Sequence, residues 1–234
     1  MISTKNIPAA GGSTPKVIQP GNVECKINSI TLDSVPYKQG AYHLSLQLET
    51  SPLEGDFEGF LVDKDNPDGP RYLGQIGKVK MSEWPYSDGE TKSGIKVSRD
   101  LEIIKAISNI CRHTGTTAWF EAQDGVHETI EEFVAQLNQD KPFKDVYVKF
   151  CVAGREYMNK AGYMNYDLYL PKQAKGQYNM QKADADSIKL MPFSEELHIK
   201  KAKSETVSSF SAGSDFDIDV PTTPKVSADF NLDL

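Results

Sequence analysis

Residues 145–172 read DVYVKFCVAGREYMNKAGYMNYDLYLPK, from Asp145 to Lys172. Val146, Val148, Phe150 and Val152 share one parity, Asn159-Lys160-Ala161-Gly162 supplies a turn, and Met164, Tyr166, Leu168 and Leu170 share one parity on the return. Apolar alternation with period two on both sides of a short turn predicts a β-hairpin whose aliphatic face meets a core. The opposite parity carries Tyr147, Lys149, Arg155, Tyr157, Tyr163, Asn165 and Tyr169. Residues 141–182 hold eight basic residues against three acids, and eight aromatic residues that include six of the ten tyrosines. Rings offer stacking platforms for bases and cations track phosphates, so this composition fits a surface for single-stranded nucleic acid. Tyrosine is also a good strand former whose hydroxyl reaches water, and the count alone does not separate the two uses.

Upstream of the hairpin, residues 22–35 predict a strand. Val23, Cys25 and Ile27 alternate, then Ile30 and Leu32 continue on the other parity, a slip that marks a bulge. After a turn at Pro36–Gly40, Tyr42, Leu44, Leu46 and Leu48 alternate with polar residues. A further strand pair is expected at Phe57–Val62 and Tyr72–Met81, on either side of the turn-rich DKDNPDGP, and WPYSDGETKSG reads as an exposed loop. Ser98 is a suitable N-cap and Gly115 a suitable stop for a helix whose Leu101, Ile104, Ile107 and Cys111 are expected on its buried face. A short apolar piece, TTAWFEA, leads to a second helix, HETIEEFVAQLNQ, with Ile130, Phe133, Val134 and Leu137 along one stripe. A last short element is expected near Ser187–His198.

The order predicts a mainly β chain with an α insert: a five-stranded oligonucleotide/oligosaccharide-binding (OB) barrel with helices between its third and fourth strands. The expected organisation is a flexible leader (1–21), the barrel domain (22–203) with its helical insert (98–138), and a disordered acidic tail (204–234).

The tail contains one small pattern twice. Asp215-Phe216-Asp217-Ile218-Asp219 and Asp229-Phe230-Asn231-Leu232-Asp233 both read Asp-Phe-x-aliphatic-Asp. Of the net charge of −7, residues 204–234 carry −5, so the body is nearly neutral around a basic region. Such asymmetry points to nucleic acid. No apolar run reaches the length of a membrane span, the N-terminus lacks a signal peptide's apolar core, and Cys25, Cys111 and Cys151 suit buried thiols in a reducing compartment.

A barrel of this order, a basic aromatic strand face and a tail ending Asp-Phe-Asn-Leu-Asp-Leu resemble the single-stranded DNA-binding replication proteins of tailed bacteriophages. The tip departs from the bacterial housekeeping family, which ends in an acidic run before Pro-Phe. The resemblance implies sequence-tolerant binding of single-stranded DNA, with RNA an open alternative, in the cytoplasm (of the host, if phage-encoded). The expected binding residues are Tyr147, Lys149, Arg155, Tyr157, Lys160, Tyr163, Tyr169 and Lys172. The tail residues Asp215, Phe216, Asp217, Asp219, Asp229, Phe230, Leu232 and Asp233 are expected to recruit replication or recombination proteins. Two rivals carry the same features: a phage structural or assembly protein using the barrel as a protein-interaction module, and an RNA-binding regulator.

Other constellations do not reach a chemistry. His43, His113, His127 and His198 are scattered and no cysteine pair has zinc spacing. Asp63–Gly69 lacks a calcium loop's final glutamate, and Gly74 and Gly77 lack the Lys-Ser or Lys-Thr of a phosphate loop. Cys111 and His113, two apart on a helix, point to different sides. Neither an enzyme nor a cofactor or metal is expected.

Overall fold

The computed structural model describes residues 17–52, 61–62, 71–72, 74–174, 176–187 and 189–202. The DKDNPDGP stretch, residues 1–16 of the expected leader and the acidic tail lie outside them, whereas Val17–Gly21 run into the barrel, with Ile18 buried. The strands are β1 (Gly21–Ser34), β2 (Tyr42–Pro52), β3 (Leu61–Val62), β4 (Arg71–Tyr72), β5 (Gly74–Lys80), β6 (Gly89–Glu90), β7 (Lys96–Val97), β8 (Tyr147–Met158), β9 (Met164–Tyr169), β10 (Met180–Lys182) and β11 (Ile199–Lys200). The helices are α1 (Arg99–Thr114), α2 (Thr117–Glu121), α3 (Ile130–Asp140) and α4 (Glu195–His198).

Five strands close a barrel in the order β1-β2-β5-β9-β8, with β8 returning to β1. The β5–β9 pairing is parallel and the other four are antiparallel. Counting only these five, the order is first, second, third, fifth, fourth, with α1, α2 and α3 between the third and fourth. This is the expected OB barrel.

β1 is long because it serves two neighbours. Gly21–Lys26 pair with Val152–Tyr147 of β8, and Cys25–Ser34 pair with Thr50–Tyr42 of β2. The register shifts between Ile27 and Ser29, so Asn28 is the extra residue of a bulge, where the sequence slip placed it. The bulge lets Cys25 and Ile27, then Ile30, point into the same core despite their different parity. Beyond Lys26 β1 has lost β8 as a partner. The Asn138 side chain of α3 takes that place: its Oδ1 accepts from Ile30 N–H at 2.8 Å and its Nδ2 donates to Ile30 C=O at 2.7 Å. One amide thus imitates a strand where the ladder has ended.

Leu44, Leu46 and Leu48 of β2, Val79 of β5, Val148, Phe150 and Val152 of β8 and Leu168 of β9 fill the interior. Ile18 plugs the barrel against Gly77, where a Cβ would stand 2.9 Å from Ile18 Cβ, so only glycine admits the plug. Of the last strand set, β5 begins at Gly74, and β3 and β4 pair with each other apart from the barrel. The exposed loop contains its own small hairpin, β6–β7.

α1 has the expected caps: Ser98 Oγ accepts from Leu101 N–H, and Gly115 ends the helix at φ 77°. Of its expected buried face, Ile107 and Cys111 are buried and Leu101 and Ile104 are not. Ile103, Ile107, Ile110, Cys111 and Thr114 are buried, while Leu101 is 51 % and Ile104 38 % exposed. Both sets satisfy helical spacing, and contact with β8 and β10 selects the first. TTAWFEA forms the short helix α2. α3 buries Ile130, Phe133, Val134 and Leu137 as expected, and is capped by Thr129 Oγ1 accepting from Glu132 N–H at 3.2 Å. Among the described residues no helix is long and apolar enough to cross a membrane.

The Asn138 clamp gives a direct test. Asn138→Ala strands two partly buried backbone groups of β1 and should lower stability by about 2 kcal/mol in urea unfolding. The exposed neighbour variant Gln139→Ala should cost under about 0.5 kcal/mol.

Candidate nucleic-acid interface

β8 is long enough to belong to two surfaces. Its first half lies between β1 and β10, its second between β9 and β11. Between them the strand is enclosed: Cys151 and Ala153 are buried, Cys151 N–H donates to Asn179 C=O at 2.9 Å, and β11 pairs along the edge at Gly154 and Arg155. The expected continuous strip of Tyr147 to Tyr169 is therefore divided. Tyr147 and Lys149 sit at one end, where Lys149 Nζ is 3.9 Å from Glu24 and stands opposite Gln181. Arg155 and Tyr157 sit at the other, six residues or about 20 Å along the strand. Tyr169 is only 5 % exposed, its ring inside the fold and unavailable for stacking without a rearrangement. Burial, then the nearby Glu83 carboxylate, raises its phenol pKa above the ordinary value.

Arg155 and Tyr157 instead line a cleft of about 580 Å³ with residues from four other strands. β1 contributes Asp33, β2 Ser45, β5 Lys78 and Lys80, and β9 Tyr166 and Asp167. The cleft opens where β5 meets β9. That parallel seam is short: Lys80 stands opposite Tyr169, and Leu170 N–H donates to Lys80 C=O at 2.8 Å. A salt bridge of 2.7 Å from Lys80 Nζ to Asp167 spans it. Trp84, in the segment after β5, is 66 % exposed, and the Arg155 guanidinium lies 5.9 Å from its ring centroid.

Every cation of this group has a carboxylate. Lys78 Nζ bonds Asp33 at 2.7 Å, and Ser45 Oγ donates to the other Asp33 oxygen at 2.6 Å. Glu83 holds both Arg155 and, at 2.5 Å, Lys200 of β11. Burial alone would raise the pKa of Glu83, but hydrogen bonds from Lys200 and Arg155 outweigh it and hold it below the usual range. Asp33 follows the same pattern, with burial opposed by Lys78 and Ser45. These carboxylates stay ionised, so the cleft is a lattice of ion pairs close to neutrality rather than a bare basic strip. Nearby, His43 is held neutral: burial lowers its pKa, Lys80 adds to the effect, and its Nδ1 has no hydrogen-bond partner among the described residues.

Lys160 and Tyr163 occupy the β8–β9 tip, with Tyr163 71 % exposed. The tip is tied down by Asn159 Oδ1, which accepts from Ala161 N–H at 3.0 Å and Tyr163 N–H at 2.8 Å. Lys172 is exposed beyond β9. The structure thus gathers Arg155 and Tyr157 into the cleft, with Lys160 and Tyr163 on the adjoining tip. Tyr147 and Lys149 are apart from it and Tyr169 is beneath the surface. The tail residues Asp215, Phe216, Asp217, Asp219, Asp229, Phe230, Leu232 and Asp233 fall outside the described residues. Lys78 and Lys80 line the cleft and Trp84 lies beside Arg155, all three outside the expected set. The alternation Gly77-Lys78-Val79-Lys80 was their signal: on the third strand of an OB barrel, it sets two lysines on the face where this fold takes ligands.

Burial pushes the Cys25 thiol up to about 12 and the Cys151 thiol up to about 11, and raises Cys111, so the three remain protonated at neutral pH. The His113 ring lies 5.0 Å from that of Tyr178. No protein-family model, curated protein or solved structure matches this chain, and its function is read from geometry.

The neutral histidines imply a pH dependence. His43 and His113 both titrate below the usual 6.5 in the folded chain, in each case through burial first. The unfolded chain binds their protons more readily, so their contribution is complete above pH 6.5 and is lost as pH falls through the lowered folded values. The urea midpoint should drop between about pH 7.5 and pH 5.5, and a His43→Gln/His113→Gln variant should show a smaller drop over the same interval.

Proposed function

We propose that this chain binds single-stranded DNA with little sequence preference, across the cleft between β2, β5, β9 and β8. The observation that carries this reading is the coincidence of chemistry and position. The outer face of the second and third strands is where OB barrels take oligonucleotides. Lys78 and Lys80 of the third strand lie on it, in one cleft with Arg155 and Tyr157 of β8; Tyr157 is 46 % exposed, and the exposed indole of Trp84 lies beside Arg155. The rings accept the face of any base, and the cations accept phosphates by exchanging their carboxylate partners. Duplex DNA hides base faces in its stack and leaves the rings unused. On its sequence alone, the acidic segment 204–234 is assigned the recruitment of replication or recombination proteins, its phenylalanines flanked by aspartates suiting a basic pocket with an apolar floor.

Titrations with labelled single-stranded DNA, matched RNA and duplex test the reading. Single strands should bind well above duplex, and the DNA-to-RNA ratio sets the preferred polymer. Trp84→Ala and Tyr157→Ala should each cost about 1–3 kcal/mol of affinity without a change in melting. Tyr147→Ala, outside the cleft, should cost much less. Affinity should fall with salt at about −0.7 per phosphate neutralised, and Lys78→Glu with Lys80→Glu should flatten that slope. Equal binding to duplex, or wild-type affinity in the Trp84→Ala/Tyr157→Ala double variant, would overturn it.

A further inference from the structure

The helical insert carries a second concavity, of about 550 Å³, whose chemistry is opposite to that of the cleft. Its floor is apolar: Ile104 of α1, Phe120 of α2, and Ile130 and Phe133 of α3. The Phe120 and Phe133 rings meet edge to face at 6.0 Å, and His127 stands 5.6 Å from Phe133, so the floor is a packed aromatic cluster. Ile104 stays 38 % exposed, and Leu101, one turn earlier on the same helix face, 51 %. Val126, in the adjoining loop, is 60 % exposed. Apolar side chains gathered on one outer face, rather than scattered, mark a contact surface.

The rim is acidic. Asp100 enters from the start of α1, Glu121 and Asp124 from the end of α2 and the turn after it, and Glu128 from the approach to α3. No lysine or arginine lines the concavity among the described residues. The sequence behind it is equally one-sided: residues 116–140 contain Glu121, Asp124, Glu128, Glu131, Glu132 and Asp140 and neither Lys nor Arg. Lys105 is engaged by Glu102 at 2.7 Å, and of the rim acids Asp100 is paired with Arg99 at 2.6 Å, which leaves Glu121, Asp124 and Glu128 to face a ligand.

We propose that this concavity is a docking site for a partner protein through a basic segment that carries an aromatic or branched aliphatic anchor. The anchor enters the Ile104–Phe120–Ile130–Phe133 floor, and flanking Lys or Arg residues meet Glu121, Asp124 and Glu128 of the rim. Because those carboxylates are spread around the rim, a cation on each side of the anchor satisfies them better than a single ammonium does. The volume falls within the range of pockets that enclose small ligands, enough for one large side chain and its neighbours. Nucleic acid is repelled by the rim, and so is the chain's own acidic tail. The site is therefore electrostatically separate from the cleft, and its occupation does not require the strand to leave.

A displayed library of short random peptides, selected on the immobilised full chain, tests the proposal. Recovered peptides should share Lys or Arg on both sides of Phe, Trp, Leu or Ile. In fluorescence anisotropy, Ile104→Ser and the rim reversal Glu121→Lys/Asp124→Lys should each weaken them about ten-fold. All substituted positions are at least partly exposed, and melting curves should confirm that both variants fold. Affinity of both for single-stranded DNA should be unchanged, which separates failure here from failure of the DNA reading. Recovery of acidic peptides, or of none, would overturn the proposal, as would equal binding to both variants. Displacement of the peptides by single-stranded DNA would make the concavity part of the nucleic-acid path, and an oligomer abolished by Ile104→Ser would make a second copy the occupant. Either result refutes the assignment.

Discussion

One strand has to be hydrogen-bonded to two different neighbours in succession, and the barrel depends on how that is managed. β1 leaves β8 while it is still pairing with β2, which exposes backbone polar groups in a region that excludes water. Two devices resolve the conflict within a few residues. The bulge at Asn28 reorients the strand so that Ile30 points inward, and Asn138 satisfies the Ile30 backbone with both ends of its amide. The helical insert is thereby joined to the barrel through polar groups as well as apolar contact. Its other side is left free to present a different surface.

The barrel was legible in the sequence because strands with one buried face alternate, and alternation survives in a single chain. Leu44, Leu46 and Leu48, and Val148, Phe150 and Val152, are the same inward rows in sequence and in space. The bulge was legible for the same reason, as a break in parity. Less visible was which outward positions remain outward. The segment from Tyr178 to Lys200 has no strong periodicity, yet its strands enclose β8 along both edges, where Cys151 and Ala153 are buried. That enclosure divides the expected Tyr147–Tyr169 strip. Lys78 and Lys80 carried too short a pattern to be singled out before the strand order was known. On α1, two apolar faces overlap, and only the position of β8 and β10 decides between them. Leu101 and Ile104 belong to the face that was not chosen, and Ile104 ends in the floor of the acidic concavity.

On the proposed readings, the two concavities would keep two kinds of ligand apart. The cleft alternates cation and carboxylate, so its net field is weak and its specificity rests on geometry and exposed rings. The concavity of the insert is lined by acids and, among the described residues, no base, over an apolar floor. A ligand suited to one is disfavoured by the other. Discrimination of this sort depends as much on repulsion at the wrong site as on attraction at the right one.

Glu83 gives the cleft a property that concerns time more than affinity. It holds Arg155 and Lys200 together, and any phosphate that takes either cation leaves a carboxylate waiting a few ångströms away. On the proposed reading, a strand that lifts one phosphate off the surface finds its cation recaptured at once, without waiting for an ion from solution. Release can then proceed by small steps, each replaced by an internal partner. A coat built on such exchange can be peeled back progressively by an advancing enzyme, whereas a bare cluster of cations would hold the strand until several contacts failed together.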